Sequence, residues 1–452
     1  MFRGVDPMTG QALSEYETLS DDHAQSEIAV AHAAFAEWAG RPVAERAETA
    51  HRIADEFEAR SEEFAALMAR EMGKIPAEGR GEISTVASIF RYYADAAADL
   101  LADQPLDIVG GAATIRRRPT GVILGVMPWN YPVYQVARFV APNLVLGNTM
   151  LLKHASNCPE TALAIVEVLA AAGVPAGVYR NLFISAAQVE SVIAHPAVQG
   201  VSLTGSERAG RAVAEAAGRH LTKVVLELGG SDPLIVLDSE DVAETAADIV
   251  ASRLSNAGQA CNAPKRIIVL DELYDEMLSA VVSATRAHRA GDPAAASTTV
   301  APLVSRAAAE EVAAQVRRAV DEGAELHTGG ELVDSVSSLM SPAVLSGVLP
   351  GTAAYEEEIF GPVVVVYRAH DVDAAVRLAN DTTFGLGSSV FSADRERARA
   401  VASRIDAGMS YVNQAGGSQA DLPFGGIKRS GIGRELGPLG IDEFANLMTV
   451  RH

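Results

Sequence analysis

The sequence predicts an α/β protein made of two doubly wound, Rossmann-like sheets and a small β element, and three observations carry that reading. Short continuous apolar runs such as Gly121-Val-Ile-Leu-Gly-Val-Met127 read as strands buried on both faces. Helical stretches separate these runs at a spacing that calls for right-handed crossovers and a parallel sheet. The alternation closes at Gly229-Gly230 and restarts from Ser231, so two such blocks follow one another. The chain has 452 residues, 48% hydrophobic and 21% charged, ample for a buried core without a disulfide or metal staple. Aromatics at 5% leave that core to Ala, Val, Leu and Ile.

Taken in order, residues 1–20 are polar and read as an irregular arm. From 21 to about 101 the apolar positions recur at three and four, the mark of helices, with Asp21-Asp22 as N-cap and Gly73 and Pro76 as punctuation. Residues 108–118 read as an extended ribbon turning at Gly110-Gly111. Strands are expected at 121–127, 148–153, 178–183, 198–203 and 223–228, with helices over 160–173 and 208–218. Beyond Ser231 come a strand at 234–237, a helix over 241–257, a strand at 266–270, a long helix over 273–290 and a polar loop at 291–293. The tail from Gly433 mixes glycine with short apolar pieces and ends strand-like at 446–450.

Charge and cysteine narrow the function. Lys plus Arg number 37 against 58 Asp plus Glu, a net charge of −21, which repels nucleic acid and anionic membrane. An anionic small substrate then needs cations placed locally. Cys158 and Cys261 are the only cysteines, which suits a reducing compartment better than a disulfide framework. No basic stretch followed by an apolar one opens the chain, and no run approaches the ~18 apolar residues of a membrane span. A cytoplasmic enzyme is the expectation.

The motif search first removes possibilities. G-x-G-x-x-G is absent; Gly431-Ile-Gly433 comes nearest but follows no expected strand. Gly205 to Gly210 has the glycine spacing of a phosphate loop but continues Arg-Ala. What remains is a strand, a Thr204-Gly205-Ser206 turn and a helix start, which fits either a phosphate site or an ordinary serine N-cap. No G-x-S-x-G, H-E-x-x-H or metal-spaced Cys/His set occurs, so no metal is expected. Cys261 lies in Asn256-Ala-Gly-Gln-Ala-Cys-Asn262, where small neighbours would leave a thiol accessible; a small buried hydrophobe is the other reading. Cys158, before Pro159, reads as structural. Glu227 ends a strand beside a glycine pair, where parallel sheets bind ligands or where a carboxylate meets solvent. Pro128-Trp-Asn-Tyr-Pro132 follows a buried strand and fixes the backbone around an amide side chain, or forms a rigid turn.

Together these pieces resemble the aldehyde dehydrogenase superfamily. Pro128-Trp129-Asn130, Lys153, Thr204-Gly205-Ser206, Glu227 to Gly230, Gly258 to Cys261, Glu358-Ile-Phe-Gly-Pro362 and Pro423-Phe-Gly-Gly426 match in order and spacing along effectively the whole chain. Met127 to Pro132, Leu-Leu-Lys-His-Ala155 and Glu-Leu-Gly-Gly-Ser-Asp-Pro233 are most similar to the shorter bacterial succinate-semialdehyde dehydrogenases. The resemblance implies a cofactor-binding domain at 1–107 and 119–230, a catalytic domain at 231–432, and oligomerisation strands at 108–118 and 433–452 that make a homodimer or tetramer. It implies that the Cys261 thiolate attacks the aldehyde, that Asn130 and the Cys261 N–H hold the oxyanion, and that Glu227 activates the hydrolytic water. Trp129, Asn130, Lys153, His154, Ala155, Ser156, Gly205, Ser206, Leu228, Glu358 and Phe360 become the cofactor contacts. Ser156 stands where members strict for NAD often carry Glu; without that carboxylate NADP is preferred, with NAD possible.

For the substrate, Arg138 and Ser418 fall at positions that hold a distal carboxylate in succinate-semialdehyde enzymes. A second arginine of that pattern is replaced by Ser255, with Arg253 nearby, which leaves other ω-semialdehydes or neutral aldehydes open. A coenzyme A-acylating relative or a non-catalytic homologue is the other class of reading; retention of Glu227 argues against the first, and retention of Cys261, Glu227 and Asn130 together against the second. Ala263 two residues beyond Cys261 excludes a disulfide within that loop.

Overall fold

In the computed structural model, which describes residues 1–452, the chain opens with a hairpin instead of an irregular arm: β1 (Phe2–Val5) and β2 (Ala12–Tyr16). Its anchor is Phe2, turned inward against Phe183 at 4.7 Å between ring centroids, one apolar residue that polar neighbours masked. The helical text divides into α1 (Asp21–Gly40), α2 (Val43–Ala59), α3 (Ser61–Met72), α4 (Pro76–Asp95) and the single turn α5 (Ala97–Leu100). Ser20, not an aspartate, caps α1 by accepting from the His23 N–H; Asp21 and Asp22 sit in the first turn, where negative charge suits the helix dipole. Gly73 ends α3 in the left-handed conformation and Pro76 opens α4, so a rigid elbow fixes where α4 begins.

The ribbon comprises β3 (Gln104–Ile108) and β4 (Gly111–Pro119), so it starts earlier than residue 108. The first large sheet follows as β5 (Val122–Val126), α6 (Tyr134–Leu146), β6 (Thr149–Lys153), α7 (Pro159–Ala171), β7 (Tyr179–Asn181), α8 (Val189–Ile193), β8 (Val198–Thr204), α9 (Glu207–His220) and β9 (Lys223–Glu227). These strands pair in parallel in the order β9-β8-β5-β6-β7, with β7 shorter than the expected 178–183. From β5 the chain winds outward through β6 and β7, then returns to the other side of β5 with β8. The order therefore reverses between β5 and β8, and ligands bind in the crevice beyond the carboxyl ends at such a point.

The second sheet holds β10 (Asp232–Val236) and, after α10 (Val242–Leu254), β11 (Pro264–Leu270), which leads into α11 (Asp271–Ala287). Then come β12 (Glu325–Thr328), β13 (Ala343–Ser346), β14 (Val363–Ala369), β15 (Ser389–Phe391) and β16 (Tyr411–Val412). The order is β12-β13-β14-β11-β10-β15-β16, and only β12 runs antiparallel. β17 (Gly431–Ile432) returns to the first sheet beside β9, and β18 (Ala445–Arg451) pairs with β4. Of residues 433–452 only β18 belongs to the three-stranded ribbon; the rest, including buried Glu435 and Phe444, packs beneath the first sheet. The largest apolar cluster joins α2, α3, α4 and α6 to Leu386, Met409 and Phe424 from the second half, which docks the two sheets against each other.

Candidate active site

The crevice at the carboxyl ends of β5, β8 and β9 receives a loop from the second half of the chain. That loop begins where α10 ends, and Asn256, Ala257 and Gly258 take consecutive left-handed conformations with φ of 51°, 55° and 74°. A left-handed alanine costs about 1–2 kcal/mol, so the surroundings must hold the turn. Arg253 does so from within: its guanidinium donates to the carbonyls of Gly258, Ile359 and Val363 at 3.0, 2.9 and 2.8 Å. It is wholly buried, and burial lowers its pKa to about 10. Arg253 thus clamps backbone and does not stand in for the missing substrate arginine.

The turn delivers Cys261 to the border between two cavities. One, of about 390 Å³, is lined by Glu78, Tyr131, Tyr134, Ser255, Ser418 and Phe424 among others. The second, of about 300 Å³, is lined by Trp129, Asn130, Gly205, Ser206, Leu228, Glu358 and Phe360 among others. Cys261 and Gln135 border both. A thiol shared by two cavities can react with a molecule in the first while a second molecule occupies the other. Gly229 and Gly230 permit this packing, since a Cβ at Gly230 would lie 2.6 Å from the Cys261 carbonyl oxygen and one at Gly229 2.2 Å from Glu358.

Asn130 donates through Nδ2 to the Gln259 carbonyl at 3.0 Å, which orients the amide and leaves its second N–H for a ligand. Burial raises the Cys261 thiol to about 11, while the Arg138 and Lys265 charges work to lower it. Lys265 is the nearer anchor: its Nζ donates to the Cys261 carbonyl at 2.7 Å and pairs with Glu358 at 3.0 Å. Glu227 is buried at the end of β9, and neither carboxylate oxygen has a hydrogen-bond partner. Burial raises its pKa well above the ordinary carboxylate value. Gly425 makes room for it, because a Cβ there would lie 2.6 Å from Glu227 Oε1. This carboxyl is unpartnered and lies close enough to influence the Cys261 thiol, and it acts as a base only in its ionised form.

Arg138 does not line either cavity, contrary to its expected place on a substrate carboxylate. It is fully buried on α6, paired through Nε with Glu435 at 2.8 Å and flanked by the Phe424 and Tyr134 rings. Its Nη1 donates to the Tyr134 hydroxyl at 3.3 Å, and that hydroxyl donates to Ser418 Oγ at 2.7 Å. Ser418 does reach the first cavity, as expected. Its polar lining mixes the hydroxyls of Tyr131, Tyr134, Ser255 and Ser418 with Gln135, Asn262 and the carboxylates of Glu78 and Glu82, and no lysine or arginine borders it.

At the second cavity, Ser206 caps α9 by accepting from the Ala209 N–H and also lines the cavity wall. Trp129 meets Phe360 edge-on at 5.9 Å across the same cavity. Lys153 ends β6, one strand away, with no hydrogen-bond or ion-pair partner of its own except the Phe2 ring 5.7 Å from Nζ. A half-buried ammonium left without a carboxylate at the end of a parallel strand fits the hydroxyls of a dinucleotide. Ser156 is exposed just beyond, with Ala155 half-buried between. His154 departs from expectation: its side chain is buried, bonded to the Pro132 carbonyl at 2.8 Å, and burial lowers its pKa to about 4, so it braces the Pro132 turn and does not face a ligand. Cys158 is buried among apolar side chains.

Residues that motif reading missed are Gln135, Tyr131, Tyr134, Glu78 and Lys265. Tyr131 follows Asn130 directly, and Tyr134 and Gln135 open α6 a few residues on, a closeness in sequence that was a usable signal. Glu78 comes from a helix far away in sequence and carried none.

Comparison with known proteins agrees with this geometry. The model of the aldehyde dehydrogenase family matches residues 1–450. A Deinococcus radiodurans protein named succinate-semialdehyde dehydrogenase (NADP(+)) is 50% identical over 450 residues, covering 100% of this chain and 94% of that protein. A Mycobacterium tuberculosis protein named succinate-semialdehyde dehydrogenase (NADP(+)) 1 is 43% identical, covering 99% of this chain and 98% of that one. The crystal structure of succinic semialdehyde dehydrogenase from Streptococcus pyogenes in complex with NADP(+) superposes with a TM-score of 0.97 at 41% identity, covering 100% of this chain and 99% of that chain.

Proposed function

This chain belongs to the aldehyde dehydrogenase family and is an NAD(P)-dependent oxidoreductase, and from that premise we propose that it oxidises succinate semialdehyde to succinate with NADP. The observation that carries the reading is the placement of Cys261 on the border of two cavities, one for the aldehyde and one for the dinucleotide.

Cys261 loses its proton and its sulfur attacks the aldehyde carbon; the C–S bond forms and the carbonyl electron pair moves to oxygen. The free N–H of Asn130 and the Cys261 backbone N–H receive that oxyanion, a donor type worth about 100-fold or more in rate. NADP, when bound, would supply the hydride acceptor that this oxidation needs, and Cys261 would then hold the acyl group as a thioester. Glu227 then takes a proton from water, the hydroxide adds to the thioester, and the C–S bond breaks to release the carboxylate and the thiolate. Trp129, Gly205, Ser206, Leu228, Glu358 and Phe360 would hold the dinucleotide, with Lys153 on ribose hydroxyls and Ala155-Ser156 at the adenosine end.

Succinate semialdehyde is favoured by the named relatives and by the Ser418 hydroxyl in the pocket, which is left free to donate while Tyr134 donates to it and Arg138 supplies positive charge from behind. The absence of a carboxylate at Ser156 supports NADP, with NAD accepted as well. The ribbon of β18, β4 and β3 exposes Val109, Leu447 and Met448, which supports self-association into a two-fold oligomer. A nucleophile that must stay reduced supports a cytoplasmic location; no helix is long and apolar enough to cross a membrane. A kcat/KM panel of aldehydes with and without a terminal carboxylate, using both cofactors, tests the assignment. Succinate semialdehyde with NADP should lead; preference for neutral aldehydes would overturn the substrate.

A further inference from the structure

Lys74, in the elbow just before α4, and Glu78 and Glu82, on the first two turns of α4, are three charged groups that the reaction does not use, and all three bond to the loops that carry the reacting groups. Lys74 and Glu82 form an ion pair that is wholly buried. Lys74 Nζ also donates to the Asn130 backbone carbonyl at 3.0 Å and lies 3.9 Å from the centre of the Tyr131 ring. The other oxygen of Glu82 accepts from the backbone N–H groups of Val133 and Tyr134, both at 2.9 Å, closing the start of α6. One helical turn earlier on the same face, Glu78 accepts from the Asn256 N–H at 2.8 Å and from Ser255 Oγ at 3.1 Å. The Asn256 side chain completes the circuit by donating to the Asn130 carbonyl at 2.9 Å.

We propose that this end of α4 is a caliper that sets the position of the Asn130 amide relative to the Cys261 loop, with Lys74, Glu78 and Glu82 as positioning residues for the oxyanion. Lys74 and Glu82 hold the Asn130 side and Glu78 holds the strained left-handed turn at Asn256, so one rigid element grips both. The elbow formed by Gly73 and Pro76 fixes where that element starts. Burying two opposite charges gives little net stability, and apolar replacement of such a pair is often tolerated. Accurate placement of a donor, in contrast, is worth orders of magnitude in rate, since an error of about 1 Å can cost on the order of 100-fold.

The inference rests on Asn130 being the oxyanion donor, and the test separates the two. The paired substitution Lys74→Met with Glu82→Leu removes the charges together, so neither is stranded. It should lower kcat about 100-fold with KM for the aldehyde within about 3-fold in enzyme that is still folded at the assay temperature, the thermal midpoint falling only by what the freed Val133 and Tyr134 amides cost. In an Asn130→Ala background the same pair should cost no more than about 3-fold, because the group it positions has gone. If the pair multiplies the loss in that background by the full factor, or leaves kcat unchanged in the parent, the caliper is wrong. If Asn130→Ala itself retains full kcat, the oxyanion assignment fails instead, and the caliper with it. Should the Leu variant not fold, Lys74→Met with Glu82→Gln keeps an acceptor for the Val133 and Tyr134 amides and removes only the hold on Asn130. Its expected loss is about 10-fold in kcat, again absent in the Asn130→Ala background, and an additive loss there overturns the proposal.

Discussion

The two cavities that meet at Cys261 are built in opposite ways. The cavity proposed for the dinucleotide is made of short consecutive pieces, three of them turns that follow strand ends, 128–130, 204–206 and 228–229, and one, 358–360, that leads into β14. The aldehyde side is assembled from single residues of distant elements, among them Glu78 on α4, Tyr134 on α6 and Ser418 after β16. A cofactor phosphate and ribose are met by backbone and by residues fixed to it, which ties the site to the sheet. A small aldehyde is met by side-chain tips, which many positions can supply. The first cavity is therefore set by topology and the second by packing.

Replacing the shared residue should damage both sides at once. Cys261→Ala is expected to abolish NADPH formation, by about 10⁴-fold or more, while Cys158→Ala leaves it largely intact because that thiol is buried among apolar side chains. Steady-state absorbance assays on the two variants decide this; equal losses would remove the distinction between the cysteines.

That contrast also explains what the sequence showed in advance. Trp129, Gly205 and Leu228 were legible because each sits in a contiguous motif at the end of a strand of the first sheet, whereas Glu358 and Phe360, ahead of β14 in the second sheet, came only from the family resemblance. Arg138 and His154 also lie in or next to motifs, yet both side chains point inward, since a position on a helix or strand end does not fix which face is ligated. Arg138 found Glu435, almost 300 residues later in the chain, and no local pattern announces such a partner. The N-terminal hairpin and the elements between β11 and β17 were obscured for a related reason. Their short strands at 325–328, 389–391 and 411–412 are too brief for a period to register.

The next effect in size is on pH. Burial raises the Cys261 thiol to about 11 and Glu227 well above its usual value, so both shifts oppose loss of the proton that the reaction needs removed. Raising the pH increases the thiolate about tenfold per unit below its pKa and ionises the carboxyl too, so both changes favour reaction. kcat/KM should climb steadily from pH 6 to pH 9; a plateau already reached at pH 6 would mean that neither shift operates in the working enzyme.

Smaller effects should fall on one side only. Tyr134→Phe removes the hydroxyl that links Arg138 to Ser418, and KM for succinate semialdehyde should rise about 10-fold while propanal is barely affected. Equal response of both aldehydes would place carboxylate recognition elsewhere. Ser156→Glu puts a carboxylate where the adenosine end is expected, and kcat/KM with NADP should fall about 10-fold with NAD little changed. A parallel loss with both cofactors would break the assignment of that corner.

The central claim is that Cys261 carries the acyl group and Glu227 releases it. Glu227→Gln mixed with NADP and excess succinate semialdehyde should give a burst of one NADPH per active site, followed by turnover slowed about 100-fold or more. Intact-mass and peptide analysis of that enzyme should find one succinyl group on Cys261. Steady turnover at the parent rate, or a burst with no acyl group on Cys261, would contradict the account.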